Sequence, residues 1–205
     1  MPRYLTEQDI ADFRTELCKV ATERFARFGY EGVTMRQLAE ALGCSPKTPY
    51  RYFKDKADIL ATVRAQAFGK FADALEKAAA SQKDPSLRGR AISEAYLAFA
   101  LKNPHAYRIM FDIDAPIDEK HPELGPKAER AARYITRGAE YLADAGLIGV
   151  DPTLFGWSMW SALHGIVMLH QSGMLRHGPD YKALANFLGG TMLKGAAKDG
   201  KGKRR

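Results

Sequence analysis

Of its 205 residues the chain spares only two for cysteine, Cys18 and Cys44, and neither stands at a spacing that metal ligands use. Both read as small buried residues of a reducing compartment, which excludes a disulfide framework as the basis of the fold. The five histidines make no i, i+4 pair with one another or with a carboxylate, so no metal site is expected. Long apolar runs are also missing. The most apolar stretch, Leu154 to Leu169, is 16 residues interrupted by Ser158, Ser161, His164 and two glycines, short of the roughly 20 that span a bilayer. Residues Met1 to Ile10 alternate charged and apolar types without the apolar core of a signal peptide, so a cytoplasmic protein with no membrane partner is expected. No segment alternates as a strand does, and no internal repeat occurs. A glycine-rich phosphate loop, a nucleophile beside a base, and a carboxylate–histidine cluster on one helix face are all lacking, so neither an enzyme nor a cofactor is expected.

What is present is ordinary globular composition, 46% hydrophobic and 27% charged, with a formal net charge of +7. That charge argues only weakly for a nucleic-acid partner, because Lys198 to Arg205 alone carries five positive charges and one negative. The pattern along the chain is more informative. Ile10, Phe13, Leu17, Val20, Phe25 and Phe28 recur at helical steps up to Gly29. Thr34 with Gln37 has the form of a capping box and opens a helix of about two turns that Gly43 ends. Ser45 followed by Pro46 opens a third short helix, and Asp55 caps a long fourth one running to about Gln82. Asp84-Pro85 begins a helix that Asn103-Pro104 breaks, and His105 to Asp112 forms a short one. A loop over Ala115 to Pro126 precedes helices over Lys127–Ala145, from Asp151-Pro152 to about Ser172, and over Asp180–Ala197. The expectation is an all-α protein of about nine helices: an N-terminal three-helix DNA-binding domain (1–55), a larger helical regulatory and dimerisation domain (56–197) and a disordered basic tail (198–205).

Two short helices joined by a tight glycine turn, Thr34 to Phe53, form the helix-turn-helix geometry in which the second helix enters a major groove. The same geometry also occurs in helical proteins that never meet DNA. The residue types favour DNA: Lys47, Thr48, Tyr50, Arg51, Tyr52, Lys54 and Lys56 fall within ten positions, and Arg24 to Lys56 holds seven positive and three negative charges. The run Phe25-x3-Gly29-Tyr30-Glu31-Gly32-Val33-Thr34-Met35-Arg36-Gln37-Leu38-Ala39, followed by Gly43-Cys44-Ser45-Pro46-Lys47-Thr48-Pro49-Tyr50-Arg51-Tyr52-Phe53-x2-Lys56, resembles the DNA-binding signature of the tetracycline-repressor-like family. The resemblance implies that Arg36 and Lys47 face the groove, that Thr48, Tyr50, Tyr52 and Lys56 approach phosphates or bases, and that Ala39, Leu42 and Phe53 are core. Pro49 departs from the family pattern, in which a Leu-type residue is common there. At the fourth helical position a proline removes a backbone bond and disfavours helical geometry at Thr48, which distorts the start of the recognition helix or, as the preferred reading, is tolerated in a short helix held by tertiary contacts.

In the second half, Tyr96-Leu97-Ala98-Phe99-Ala100-x3-Pro104-x2-Tyr107-Arg108-x-Met110-Phe111, with Trp160, His164 and Gly165 further on, resembles one branch of that family. Trp157, Trp160, His164 and Met168 share a helical stripe, and Tyr107, Met110, Phe111, Tyr134 and Tyr141 are expected to line a ligand cavity beside it. Such a stripe is more often plain core, and a lone histidine more often a satisfied buried imidazole. The apolar Phe155 to Leu169 segment is expected to lie between a core and a partner subunit, giving a homodimer on an inverted-repeat operator. The function so implied is a transcription regulator, a repressor by preference, that responds to a small-molecule effector. The alternatives are a helical adaptor or a small helical enzyme whose helix-turn-helix is only structural.

Overall fold

A computed structural model describes residues 6–111 and 121–197. The expected basic tail, residue 112 and the first part of the expected loop, 115–120, lie outside the described residues. Among the described residues the chain is all helical apart from one isolated bridge between Ile148 and Ala197, as the sequence led us to expect. The helices are α1 (Glu7–Phe28), α2 (Met35–Ala41), α3 (Lys56–Ala80), α4 (Pro85–Lys102), α5 (Pro104–Phe111), α6 (Leu124–Asp144), α7 (Pro152–Gln171) and α8 (Tyr181–Ala196). Among the described residues eight α-helices stand where about nine were expected, because the segment after Ser45 forms only a 3-10 turn, Pro49–Arg51.

Local chemistry explains most boundaries. Thr6 and Asp9 cap α1 reciprocally, the Thr6 hydroxyl accepting from the Asp9 N–H at 3.1 Å and the Asp9 carboxylate accepting from the Thr6 N–H at 2.9 Å. Thr34 and Gln37 do the same for α2, at 3.2 and 2.8 Å. Gly43, at φ +64, supplies the left-handed residue that turns the chain out of α2 without a Cβ clash. Asp55, Asp151 and Asp180 accept from N–H groups in the first turns of α3, α7 and α8. The start of α6 at Leu124 is three residues earlier than expected, since Pro126 falls in its first turn, where a missing N–H goes unused.

The chain forms two compact units that divide within α3: one takes the chain up to Gly69 with Asn103–Ala128, the other Lys70–Lys102 and Glu129 onward. The first unit is built on Leu17, Cys18, Ala21 and Phe25 of α1, Leu38 of α2, Phe53, and Ile59, Leu60 and Val63 of α3. Ile109 of α5 belongs to the same core, so α5 is part of this unit although 34 residues of sequence, including all of α4, separate it from residue 69. In the second unit Phe71 packs on Tyr96 and Phe99, with ring centroids 5.4 and 5.0 Å apart. Ala139, Leu142, Ile148, Phe155 and Ala196 form a further cluster. Gly156 lets α7 approach α6 closely: a Cβ there would lie 2.5 Å from the Ile135 carbonyl oxygen and 2.8 Å from the Thr136 Cα.

Candidate nucleic-acid interface

After Gly43 an α-helix starting at Ser45 would need residue 49 to donate its N–H to the Ser45 carbonyl, and Pro49 has none. The chain closes shorter turns instead. Thr48 donates to the Ser45 carbonyl at 2.8 Å, Arg51 to Thr48 at 3.0 Å, and both Tyr52 and Phe53 to Pro49 at 3.0 Å. The Pro49 ring is fully buried, and the segment expected as the recognition helix forms a 3-10 turn.

This turn sorts the expected DNA-binding residues. Lys47, Tyr50 and Arg51 are exposed, Thr48 is half-buried, and Lys54, which the resemblance did not single out, is exposed beside them. Arg36 is exposed on α2 and pairs with Glu40 at 2.8 Å, an ion pair open to solvent that leaves the guanidinium accessible. Tyr52 turns inward: its ring stacks on Phe13 with centroids 4.4 Å apart, and its carbonyl accepts from the Arg14 guanidinium. Ala39 and Phe53 are buried, and Leu42 packs half-buried on the same core.

Lys56, which the resemblance implies approaches phosphate, is half-buried. Its ammonium donates to the Tyr30 carbonyl at 2.8 Å, lies 3.9 Å from the centroid of the Tyr30 ring and 3.9 Å from the Glu31 carboxylate. It ties the turn between α1 and α2 to the first residue of α3, a task that a lysine at this position performs through charge-assisted bonding and cation–π attraction. Burial, with Asp55 and Glu31 nearby, pushes the Tyr30 phenol up from its ordinary range, so it stays neutral. Cys18 is buried and its thiol is pushed up by desolvation, a packed group rather than a reactive one, while Cys44 in the α2 turn is half-buried.

The residues expected around a ligand cavity are distributed over both units. Tyr107 and Met110 are buried within the first, where Phe111 meets Phe68 and Tyr107 with centroids 6.0 and 4.9 Å apart and the buried Arg64 donates to the Met110 carbonyl at 3.4 Å. Ile109 of the same helix packs in the core that Leu17, Cys18, Ala21 and Phe25 of α1 form. In the second unit the Tyr141 ring lies between the guanidiniums of Arg88 and Arg137, 4.4 and 4.6 Å from its centroid, and its hydroxyl accepts from Arg137 at 3.1 Å. Tyr134 is half-buried, and desolvation pushes its phenol up. On α7 the core face is Phe155, Gly156, Leu163, Ile166 and Val167. The stripe named from sequence lies off that face: Trp157 and Met168 are both 49% exposed, with Trp160 and His164 half-buried between them. Trp160 stands 5.4 Å from both the Trp157 ring and the His164 ring, and desolvation lowers the His164 imidazole from its ordinary range. Among the described residues no three His, Cys, Asp or Glu groups are placed to hold a metal, and no helix is long and apolar enough to cross a membrane.

Comparison with known proteins agrees with this geometry. Residues 17–63 match the family described as bacterial regulatory proteins, tetR family, and residues 89–191, half of the chain, match the tetracyclin repressor-like C-terminal domain. The chain is 27% identical over 179 residues to the HTH-type transcriptional regulator YezE of Bacillus subtilis, covering 84% of this chain and 78% of that protein. It is also 27% identical over 101 residues to the HTH-type transcriptional activator FasR of Mycolicibacterium smegmatis, covering 49% and 46%. Among solved structures, a tetR-family regulatory protein from Rhodococcus RHA1 superposes with a TM-score of 0.75 at 20% identity, over 91% of this chain and 98% of that one. A TetR family transcription regulator from Marinobacter aquaeolei VT8 gives 0.74 at 19% identity, over 94% and 100%. With both halves matched in order and the helix-turn-helix in the first of them, the chain belongs to the tetracycline-repressor family and is a DNA-binding transcription regulator, not an enzyme.

Proposed function

We propose that this regulator is a cytoplasmic homodimer that grips an inverted-repeat operator through Lys47, Thr48, Tyr50 and Arg51, with Arg36 and Lys54 at the edges, and releases it when a small molecule binds the regulatory domain. The observation that carries the DNA-binding part is the division of the 47–54 segment. Its apolar residues Pro49 and Phe53 are buried, while Lys47, Tyr50, Arg51 and Lys54 are exposed, the composition that phosphates and base edges require. Lys56 belongs to the scaffold of this reading rather than to its contact surface.

Dimerisation is supported by the apolar surface of α7 and α8, where Leu154 is 66% and Phe187 68% exposed beside Trp157 and Met168. The half-buried Trp160 and His164 offer an apolar wall with one orientable polar group, which suits an effector. Light scattering of the full chain, followed by selection of bound duplexes from random DNA with and without candidate effectors, tests the three parts together. A dimer that selects two half-sites about 34–36 Å apart is expected. A monomer at micromolar concentration removes the dimer. Retention on DNA that neither salt nor sequence alters removes the operator reading. Trp160→Ala and His164→Ala chains that fold, bind DNA and still respond to the effector remove the assigned effector site.

A further inference from the structure

Pro49 does more than shorten a helix: it changes which side chains share a face. In an α-helix, at about 100° per residue, Arg51 would lie about 40° from Lys47 and about 60° from Thr48, so that all three would crowd one side with Arg51 nearest Lys47. In a 3-10 turn, at about 120° per residue, Arg51 eclipses Thr48 and stands about a third of a turn from Lys47, which in turn eclipses Tyr50. Thr48 bonds back to Ser45, Arg51 to Thr48 and Tyr52 to Pro49, each three residues back, and Phe53 closes the end of the segment four residues back on Pro49. Pro49 and Phe53 are buried, and the half-buried Tyr52 stacks on Phe13.

We propose that Pro49 is a positioning residue for operator choice: by holding the 3-10 turn that Arg51 closes on Thr48, it makes Thr48 and Arg51 one reading unit and keeps Arg51 off the side of Lys47. No contact of Pro49 with DNA is involved, because its ring is buried. Two features make the register firm. Pro49 removes the N–H that an α-turn onto Ser45 needs, and its carbonyl is held by the N–H groups of both Tyr52 and Phe53. The rings that follow, Tyr52 on Phe13 and Phe53 under the Arg14 guanidinium at 4.2 Å, anchor the end of the turn to α1. The proposal rests on the reading that the exposed side of 47–51 meets DNA, and the test separates the two.

The experiment uses the full chain and the duplex it selects from random DNA. Lys47→Ala, Thr48→Ala, Arg51→Ala and the two double variants Thr48→Ala/Arg51→Ala and Lys47→Ala/Arg51→Ala are compared by mobility shift at one salt concentration. All change residues at least partly open to solvent, so the fold is retained. The Thr48/Arg51 double variant is expected to depart from the product of its single effects by a factor of about two or more, as residues sharing a partner do, while Lys47/Arg51 multiplies within that factor. Coupling of Arg51 to Lys47, or no coupling of Arg51 to Thr48, overturns the register. Single variants that all bind like the parent overturn instead the DNA-facing reading beneath it. Pro49→Leu, which restores the N–H, is expected to move the coupling onto Lys47/Arg51 and to weaken the original duplex by about 5- to 150-fold, the equivalent of one mismatched base pair, with non-specific binding held within about twofold. A folded Pro49→Leu chain that selects the original sequence overturns the proposal. If circular dichroism shows Pro49→Leu unfolded, the alanine variants decide alone.

Discussion

Around Pro49–Arg51 the first unit buries its apolar side chains and leaves Lys47, Tyr50, Arg51 and Lys54 outside, whereas α7 buries Phe155, Leu163 and Val167 yet still leaves Leu154, Trp157 and Met168 in the open. The first surface suits a partner made of charge. The second is finished only by another apolar surface. A short segment with both kinds of residue can divide them cleanly, because the 3-10 period sends Pro49 inward and its neighbours outward. A helix apolar on nearly all sides cannot, because one core covers only part of its circumference.

The largest effect is expected where the contrast is sharpest, in the first core. Phe25 is 1% exposed, and Phe25→Ala should lower unfolding free energy by about 3–5 kcal/mol in urea titrations. A loss below about 1 kcal/mol would mean that this unit is not held by its interior. In the second unit the matching test is Gly156→Ala. The added methyl meets the backbone of α6, not a side chain that can rotate away, so a loss of about 1–3 kcal/mol is expected, with self-association weakened if α7 shifts. An unchanged midpoint would show that α6 and α7 tolerate separation.

Lys56→Met, which keeps the stem and removes the charge, should cost about 2 kcal/mol, from one charge-assisted hydrogen bond and one cation–π contact. Unchanged stability with uniformly weaker DNA binding would return Lys56 to the contact surface. The smallest effect concerns His164. Its imidazole is lowered by burial, so the unfolded chain takes up a proton before the folded one as pH falls. The stability this group contributes is complete above the unfolded value near 6.5 and is lost as pH drops through the folded value. Urea midpoints of His164→Gln should therefore fall less steeply than the parent's between pH 7 and pH 5. Equal slopes would mean that burial is not what shifts this histidine.

The caps were legible from local order alone. Thr34 with Gln37, and Asp55, cap where the sequence located them, and α7 starts after Asp151 as expected, because a cap is a bond between residues two or three positions apart. The conflict between Ser45-Pro46, which opens a helix, and Pro49, which opposes one, was also visible. Its outcome was not, because burial of Pro49 and the stacking of Tyr52 on Phe13 depend on a residue 39 positions away.

What the sequence by itself determined is therefore the helical class, nearly all helix boundaries, the family and the composition of the helix-turn-helix segment. All of these follow from period, caps and charge within a few residues. Only the tertiary structure decided that Lys56 clamps Tyr30, that α5 joins the N-terminal core, that the Trp157 stripe lies off the core face of α7, and that the recognition element turns in threes. The physical reason is the same in each case. A side chain's charge or apolarity is local information, but the group that satisfies it is chosen by whichever distant segment the fold brings within a few ångströms.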